Sequence, residues 1–341
     1  MATTPVKIAI LGLGRAGGFH LQSLRQTDEA RVCCVYDIND TRSKTTAARE
    51  NCESSASAQE AVGRDDLDAV IVATPTKQHF ECVQMCLDAG KPVLVEKPLG
   101  SNLRQIDDCF GMAKERSIPL FVAFQRRFDP AFSSLVNSVR QKKTGQLQFV
   151  RSVSRDSPAP SADYIRHSGG IFHDCMVHDL DMVCHIVGAV PTHLSSFGSS
   201  FIPEIGQCDD FDNVVATLAF PGGIVATIDI NRRSVYGYDQ RLEVFGDSGM
   251  LLADNYHNTS VTEVSSSGFA RPPVDFSFPT RYREAYLQEL LCFIRCTRGH
   301  EEVPITHEDV RRSHLLATGL EIAARERRVV AYDELEASLA C

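Results

Sequence analysis

The stretch 168–181, SGGIFHDCMVHDLD, contains residue types from which acid–base chemistry can be built. Interpreted as a helix that Ser168 opens, it places Asp174 and His178 one turn apart on one face, and Asp181 one turn further along. An acid and an imidazole held this close can pass a proton at neutral pH, so Asp174 and His178 are candidate catalytic residues. A lone pair at this spacing is more often part of a solvated helix face.

The same stretch is rich in potential metal ligands, yet their spacing argues against a metal site. A catalytic zinc needs about three ligands that converge on one point. Asp174 and His178 can converge, but His173 points elsewhere and His185 lies about three turns beyond Asp174. We therefore expect no metal, and we expect Asp181 and His185 to satisfy neighbouring polar groups.

A glycine-rich turn near the start of the chain indicates a dinucleotide site. The apolar run 7–11 is typical of a buried strand, and it leads directly into GLGRAG, a predicted helix at 18–26 and a predicted strand at 31–36. The glycines permit a tight turn and close approach of a pyrophosphate, while the helix N-terminus offers unpaired N–H groups. The candidate cofactor residues of this turn are Gly12, Gly14, Arg15, Ala16 and Gly17.

Asp37 follows the second strand, about 20 residues beyond the glycines, where a carboxylate can bind the adenosine ribose hydroxyls. The same carboxylate would repel a 2′-phosphate, so NAD is expected rather than NADP. Arg42 lies nearby and can soften this preference.

Strands and helices continue to alternate, which predicts a parallel doubly wound sheet that binds its ligand at the C-terminal strand ends. The loops 74–78 and 96–98 leave such ends. Lys97, beside a nicotinamide, can stabilise a developing alkoxide; the alternative is an exposed lysine in a turn. Further strands are expected at 68–73, 92–95 and 120–124, and helices at 40–51, 77–89 (capped by Thr76) and 102–115.

Length and composition bound the class of protein. A chain of 341 residues predicts two domains, and 43% hydrophobic residues is ordinary for a folded protein. The formal net charge of -9 argues against nucleic acid or an anionic membrane as partner. No apolar run is long enough to span a bilayer, no apolar signal core is evident, and the 12 cysteines form no CxxC pair. We expect a cytoplasmic protein with reduced thiols.

The second half of the chain predicts an antiparallel sheet. A strand is expected at 147–155, and two hairpins follow, with strands at 211–220 and 224–231 and at 241–245 and 250–254. Such a sheet can leave one face open for another subunit, so a homo-oligomer is expected. The predicted domains are 1–125 and 126–341, with a helix at 306–325, capped by Thr306, packing back on the first domain.

Five stretches in the expected order carry a family resemblance: GLGRAG, ATPTKQH, EKPLG, FQRRFDP and GGIFHDCMVHDLD. Together they resemble the glucose–fructose oxidoreductase, inositol dehydrogenase and rhizopine-catabolism (Gfo/Idh/MocA) family, over almost the whole chain. The later stretches RDSPAPSADYIRHSGG and NRRSVYGYDQRLEVFG resemble, more narrowly, its bacterial-type myo-inositol 2-dehydrogenases. The five stretches in this order are specific for the family, but they are less decisive for the substrate.

The resemblance implies a Rossmann domain with a doubly wound parallel sheet, followed by an α+β domain with a large open, mainly antiparallel sheet. It implies catalytic roles for Lys97, Asp174 and His178, a cis peptide before Pro98, and a tetramer. The cofactor contacts expected beyond the glycine turn and Asp37 are Thr74, Pro75, His79, Glu96 and Lys97.

Substrate contacts follow in part from the same resemblance. It implies that Arg127 faces the substrate and that Tyr282, at the start of a helix to about residue 298, is a further contact. Tyr236 and Tyr238 lie between the hairpins and can reach a polyol's hydroxyls or be half-buried tyrosines. Some similar inositol enzymes carry a histidine where this chain has Ser154, which leaves the contacts from that strand open.

The resulting hypothesis is an NAD-dependent oxidation of a cyclic polyol, with myo-inositol, oxidised to 2-keto-myo-inositol (scyllo-inosose), as the leading candidate. His178 takes the hydroxyl proton, Asp174 orients the substrate and tunes the histidine, and Lys97 steadies the alkoxide. The alternatives are another substrate (scyllo-inositol, a sugar such as glucose, or an aromatic dihydrodiol) and, from a different class, a non-catalytic NAD-binding sensor or co-regulator.

Overall fold

A computed structural model describes residues 4–257 and 259–337. The chain divides into two compact units. The first contains the residues up to Phe128 and the segment Arg283–Arg311, and the second contains Asp129–Tyr282 and the residues from Arg312 onward. The contiguous domains expected from the sequence differ from these units chiefly in the placement of Arg283–Arg311.

The first unit is built on a parallel sheet whose strands are β1 (Val6–Leu11), β2 (Ala30–Tyr36), β3 (Glu53–Ser54), β4 (Ala69–Val72), β5 (Val93–Val95) and β6 (Leu120–Val122). The strand order is β3-β2-β1-β4-β5-β6, and every pair is parallel. Strands β4, β5 and β6 are buried along their whole length, which explains why their sequences do not alternate between polar and apolar residues. The predicted doubly wound parallel sheet is confirmed.

The helices that connect these strands are α1 (Arg15–Leu24), α2 (Asp40–Glu50), α3 (Ala58–Val62), α4 (His79–Asp88) and α5 (Leu103–Arg116). Asn39 and Asn102 cap α2 and α5 through their side chains. The prediction that Thr76 caps a helix at 77–89 is wrong. Residues Thr76–Gln78 form a 3₁₀ turn, in which the Gln78 N–H bonds to the Pro75 carbonyl, and α4 begins only afterwards.

The second unit is built on the strands β7 (Leu147–Arg155), β8 (His193–Ser199), β9 (Asn213–Ala219), β10 (Val225–Asn231), β11 (Asp239–Gly246) and β12 (Gly249–Ala253), besides a hairpin of β13 (Glu263–Ser265) and β14 (Gly268–Ala270), and β15 (Val330–Ala331). The large sheet has the order β12-β11-β7-β10-β9-β8-β15. Only β7 and β10 pair in parallel. Both predicted hairpins and the mainly antiparallel sheet are confirmed.

The remaining helices are α6 (Pro130–Arg140), α7 (Ala162–Ser168), α8 (Val177–Val187), α9 (Pro203–Gly206), α10 (Phe278–Arg281), α11 (Arg283–Thr297), α12 (His307–Glu326) and α13 (Tyr332–Ala337). The predicted caps of α6 and α12 are confirmed, because Asp129 accepts from two main-chain N–H groups of α6 and Thr306 accepts from the Asp309 N–H. In the part of the chain that the structure covers, no helix has the length and apolar character needed to cross a membrane.

The two faces of the large sheet differ. On β7, Val150, Ser152 and Ser154 point to the buried face, against which α8 packs. Residues on the opposite face are exposed although they are apolar. They include Phe197, Val215, Phe245 and Met250, which the strand register places on one side of the sheet.

Candidate active site

The glycine turn of the first unit lies between β1 and α1. Gly12 has a φ of +90°, and a Cβ there would lie 2.5 Å from the Ala73 carbonyl oxygen. A Cβ on Gly17 would lie 2.0 Å from the Gly12 carbonyl oxygen, so this position packs the helix on the strand. Gly14 has nothing within 4 Å of its Cβ position and precedes the first turn of α1, whose first residues are Arg15 and Ala16. The turn therefore leaves open main chain at a helix N-terminus, as a pyrophosphate requires.

Asp37 is buried at the end of β2, and its carboxylate is held by the main chain. Its Oδ2 accepts from the Leu13 N–H at 2.8 Å, and its Oδ1 accepts from the Asn39 N–H at 2.8 Å. Arg42 Nη1 lies 3.3 Å from Oδ2, so the arginine neutralises this carboxylate in part. Each oxygen retains acceptor capacity for a ribose hydroxyl. Together with the open glycine turn, Asp37 makes the first unit a fit for NAD.

The loops that follow β4 and β5 are braced by a buried histidine. The two ring nitrogens of His79 lie 2.7 Å from the carbonyl oxygens of Thr74 and Pro98. Burial lowers the pKa of His79, although the two carbonyls favour its charged form. Pro75, between Thr74 and the 3₁₀ turn, is exposed. Since both ring nitrogens lie against carbonyl oxygens of these loops, we infer that the ring supports the loops rather than contacting a cofactor.

Lys97 is half-buried at the end of β5, and the predicted cis peptide between Lys97 and Pro98 is confirmed. The neighbouring Glu96 bonds to the buried His20, with 3.0 Å between Oε1 and Nε2. Burial alone would raise the pKa of Glu96, but the bond to His20 and the charges of His20 and Lys97 lower it overall. Glu96 therefore provides a negative charge beside the lysine.

Arg127 lies in a short 3₁₀ turn after β6 and forms an ion pair with Asp309, with Nη2 3.1 Å from Oδ1. Burial would raise the pKa of Asp309, but Arg127 holds it well below its usual range. A substrate contact of Arg127 would compete with this ion pair.

The segment that carries Asp174 and His178 differs from its predicted form. Ser168 does not open a helix; it is the last residue of α7, which Ser161 caps. Gly169 and Gly170 follow with φ values of +89° and +79°, and these left-handed residues break the helix. A π-helical turn, Phe172–Met176, then contains Asp174, and α8 begins at Val177. Asp174 thus lies on a wide turn of the kind often found at functional sites.

Two side chains from other elements hold the buried Asp174 carboxylate. The Tyr164 hydroxyl donates to Oδ1 at 2.9 Å, and Arg232 Nη1 donates to Oδ2 at 2.7 Å. Burial and the nearby Asp174 raise the pKa of Tyr164, so the phenol remains a donor. Tyr164 and Arg232 were not predicted from the sequence. For Arg232 the only signal is the Arg232-Arg233 doublet directly after a predicted strand.

His178 is buried on the first turn of α8, and the next residue anchors that turn to the sheet. Asp179 is fully buried, and its Oδ1 lies 2.6 Å from the hydroxyls of both Ser152 and Ser154. Ser154 Oγ is also 3.1 Å from Gln240 Oε1. Ser154 therefore points to Asp179 beneath α8.

The three tyrosines predicted as substrate contacts have different surroundings. Tyr236 is half-exposed, and its hydroxyl donates to Asp239 at 2.6 Å and accepts from Arg155 at 3.1 Å. Tyr238 is buried, and its ring meets the Tyr282 ring edge-on. Tyr282 has no exposed surface, and its hydroxyl lies 3.3 Å from Gln240 Oε1, so this residue is packed in the interior, one position before α11.

The histidines near Asp174 are engaged elsewhere. The ring centroids of His173 and His314 lie 4.7 Å apart with the rings tilted by 52°, and burial lowers the pKa of each to about 4. His185 contacts Arg140, with 3.1 Å between Nε2 and Nη2. Among residues 4–257 and 259–337, no group of three or more His, Cys, Asp or Glu side chains could hold a metal ion.

Two family models match this chain. One, described as an oxidoreductase family with an NAD-binding Rossmann fold, matches residues 6–124. The other, the GFO/IDH/MocA C-terminal domain, matches residues 132–252. The chain therefore belongs to the GFO/IDH/MocA family of oxidoreductases, and NAD is its cofactor.

Individual relatives cover the whole length. The chain is 36% identical to the myo-inositol 2-dehydrogenase of Thermotoga maritima, over 97% of this chain and 99% of the relative. It is 33% identical to the inositol 2-dehydrogenase of Rhizobium meliloti, over 95% and 98% of the two chains. A solved scyllo-inositol dehydrogenase from Lactobacillus casei, with bound NAD(H) and scyllo-inositol, is similar with a TM-score of 0.90, at 25% identity and over 96% and 99% of the two chains.

Proposed function

We propose that this protein oxidises a ring hydroxyl of an inositol with NAD, and that its preferred reaction is the conversion of myo-inositol to 2-keto-myo-inositol. The observation that carries the proposal is the buried Asp174 carboxylate, held by Tyr164 and Arg232 on the segment that also presents His178. The names of the relatives from Thermotoga maritima and Rhizobium meliloti support an inositol as the substrate.

In the proposed mechanism, bound NAD supplies the hydride acceptor, and the chain's own residues handle the proton and the charge. An imidazole nitrogen of His178 takes the proton from the reacting hydroxyl. The Asp174 carboxylate accepts hydrogen bonds from substrate hydroxyls and offsets the positive charge that forms on His178. Lys97 Nζ donates to the reacting oxygen and stabilises its developing negative charge.

The test of the substrate is a panel of polyols followed through NADH absorbance. We expect turnover with myo-inositol to exceed that with glucose and other sugars. Scyllo-inositol is the second candidate, because the relative from Lactobacillus casei was solved with that compound bound. Higher kcat/KM with scyllo-inositol would reassign the preferred substrate, and no turnover with any inositol would refute the proposed function.

The test of the base is His178→Ala. General acid–base groups contribute about 10²–10⁴-fold, so kcat should fall by that factor while the affinity for NAD stays unchanged. His185→Ala on the same helix is the control, since its ring contacts Arg140. A near-normal kcat in His178→Ala would refute the assignment.

The same panel run with NADP tests the role of Asp37. The carboxylate at the end of β2 should repel a 2′-phosphate, so kcat/KM should be higher with NAD. Asp37→Ser should lower the ratio of kcat/KM with NAD to kcat/KM with NADP. In this variant Arg42 loses its carboxylate partner and can bind the 2′-phosphate of NADP.

We further propose that the protein works in the cytoplasm as a homotetramer whose subunits cover the exposed apolar face of the large sheet. Phe197 is 71% exposed and its strand neighbour Val215 is 47% exposed. In a monomer this apolar face would be in contact with water, which is unfavourable. Light scattering after gel filtration should give a tetramer for the wild type and smaller species for Phe197→Glu. Val264→Glu, at an exposed apolar position on the separate β13–β14 hairpin, is the control. A monomeric wild type would refute the tetramer.

A further inference from the structure

Arg232, directly after β10 in the second unit, is only 1% exposed. Its main-chain N–H donates to the Asp212 carbonyl at 2.7 Å, which fixes the backbone at the strand end. A buried guanidinium is stable only when charged partners surround it, because desolvation of an unpaired charge is very unfavourable. The role of Arg232 can therefore be inferred from the charged groups that it contacts.

The guanidinium spans two carboxylates. Nη1 lies 2.7 Å from Asp174 Oδ2, and Nη2 lies 3.5 Å from Asp210 Oδ2. The other oxygen of Asp174 accepts from Tyr164. Both oxygens of Asp174 are thus held by hydrogen bonds, and Arg232 is the donor that carries a positive charge.

The second carboxylate connects Arg232 to the backbone of the same segment. Asp210 Oδ1 accepts from the Ile171 N–H at 3.0 Å. Ile171 follows Gly169 and Gly170 and immediately precedes the π-helical turn that contains Asp174. Arg232 therefore holds both the Asp174 side chain and, through Asp210, the start of the turn that carries it.

The charged groups around Asp174 come from several elements. Tyr164 approaches from α7, Arg232 from the end of β10, and His178 lies on α8. Cys175 Sγ is 2.9 Å from Arg232 Nη1 and 3.4 Å from Asp156 Oδ2. Burial alone would lower the pKa of Arg232, but Cys175, Asp174 and Asp156 raise it, so the guanidinium is charged at every working pH.

We propose that Arg232 is a positioning residue that keeps Asp174 ionised and fixes its direction, so that Asp174 acts as a permanent acceptor while His178 is the group that exchanges the proton. This inference rests on the proposed function for its kinetic consequences. The ionisation of Asp174 itself can be measured without any substrate or cofactor.

Two substitutions separate charge from hydrogen bonding. Arg232→Gln keeps amide donors but loses the charge, and Arg232→Lys keeps the charge. Carbon-13 NMR of aspartate-labelled protein, with Asp174→Asn to assign the signal, follows the carboxyl during titration. We expect the Asp174 midpoint to rise by about 1–3 pH units in Arg232→Gln, the usual effect of an adjacent arginine, and to remain near its wild-type position in Arg232→Lys.

An unchanged midpoint in Arg232→Gln would overturn the proposal. Circular dichroism shows whether that variant folds. If it does not fold, Arg232→Lys decides, because a midpoint that rises while a cation is retained would also overturn the proposal. Arg233→Gln, at the exposed neighbouring position, is the matched control and should leave the Asp174 titration unchanged.

Kinetics with myo-inositol give the second readout. In Arg232→Gln, kcat/KM should fall about tenfold per pH unit below the raised Asp174 midpoint and recover above it, because Asp174 then ionises without help. A loss by the same factor at every pH would indicate a purely structural role and overturn the proposal. If the wild type oxidises no inositol, the proposed function fails, while the NMR titration still decides the role of Arg232.

Discussion

The two units hold their functional groups by different means. In the first unit, the nucleotide turn is made of main chain, and the Asp37 carboxylate is fixed by the N–H groups of Leu13 and Asn39. In the second unit, side chains from separate elements hold Asp174, and the pair with Arg232 is 58 residues apart in sequence. The nucleotide turn therefore requires positions without a Cβ, whereas the Asp174 site requires oppositely charged side chains to be brought together by the fold.

This difference leads first to a prediction for the nucleotide turn. In Gly17→Ala, the new Cβ would meet the Gly12 carbonyl oxygen at 2.0 Å, so the strand and helix must separate. Loss of a main-chain hydrogen bond to a charged pyrophosphate costs about 1.5–3 kcal/mol, so we expect NAD affinity, measured by calorimetry, to fall by about 10–10²-fold.

Gly18→Ala is the matched control, because its Cβ would meet nothing within 4 Å. On the same helix it should leave NAD affinity unchanged and add about 0.5–1 kcal/mol of stability. Wild-type NAD affinity in Gly17→Ala would show that side chains, rather than the main chain, form the nucleotide site.

The same contrast explains what could be predicted from the sequence. The glycine turn and Asp37 follow from local patterns, because the strand, the turn and the helix are contiguous. The break before Asp174 could also be anticipated from Gly169-Gly170, but the spacing of Asp174 and His178 suits a continuous α-helix equally well. Arg232 could not be assigned, since only the paired strands and the fold bring its guanidinium to Asp174.

Ser154→Ala tests whether hydrogen bonds between side chains stabilise the second unit. Its hydroxyl lies 2.6 Å from the fully buried Asp179 carboxylate, and a hydrogen bond to a charged group contributes about 1.5–3 kcal/mol. Ser154→Ala should lower the free energy of unfolding by about that amount in urea titrations and leave the KM for inositol unchanged. Ser195→Ala, on the opposite face of the sheet, is the control. A raised KM with unchanged stability would place Ser154 against the substrate instead.

The first unit also contains a buried carboxyl group, that of Glu289, which neither the main chain nor a cation of the described part of the chain holds. Glu289 on α11 is fully buried, and neither of its carboxyl oxygens has a hydrogen-bond partner in residues 4–257 and 259–337. Burial, together with the nearby charge of Glu96, raises the pKa of Glu289 well above its usual value of 4.5. Whereas the second unit neutralises the buried carboxylates of Asp174 and Asp210 with Arg232, the first unit keeps this one protonated.

The last prediction concerns the pH dependence of stability that this proton causes. Below the unfolded pKa near 4.5, both states of the protein bind it, and the full stability is present. As the pH rises, the unfolded chain releases the proton first, so Glu289 should reduce the free energy of unfolding by about 1.4 kcal/mol per pH unit until the folded pKa is reached. Glu289→Gln should remove this slope in urea titrations between pH 5 and pH 8, and Glu284→Gln, exposed on the same helix, should not. Parallel pH profiles for wild type and Glu289→Gln would mean that Glu289 is ionised in the folded protein. A cation would then have to lie against it, and the first unit would hold its buried charge in the same way as the second.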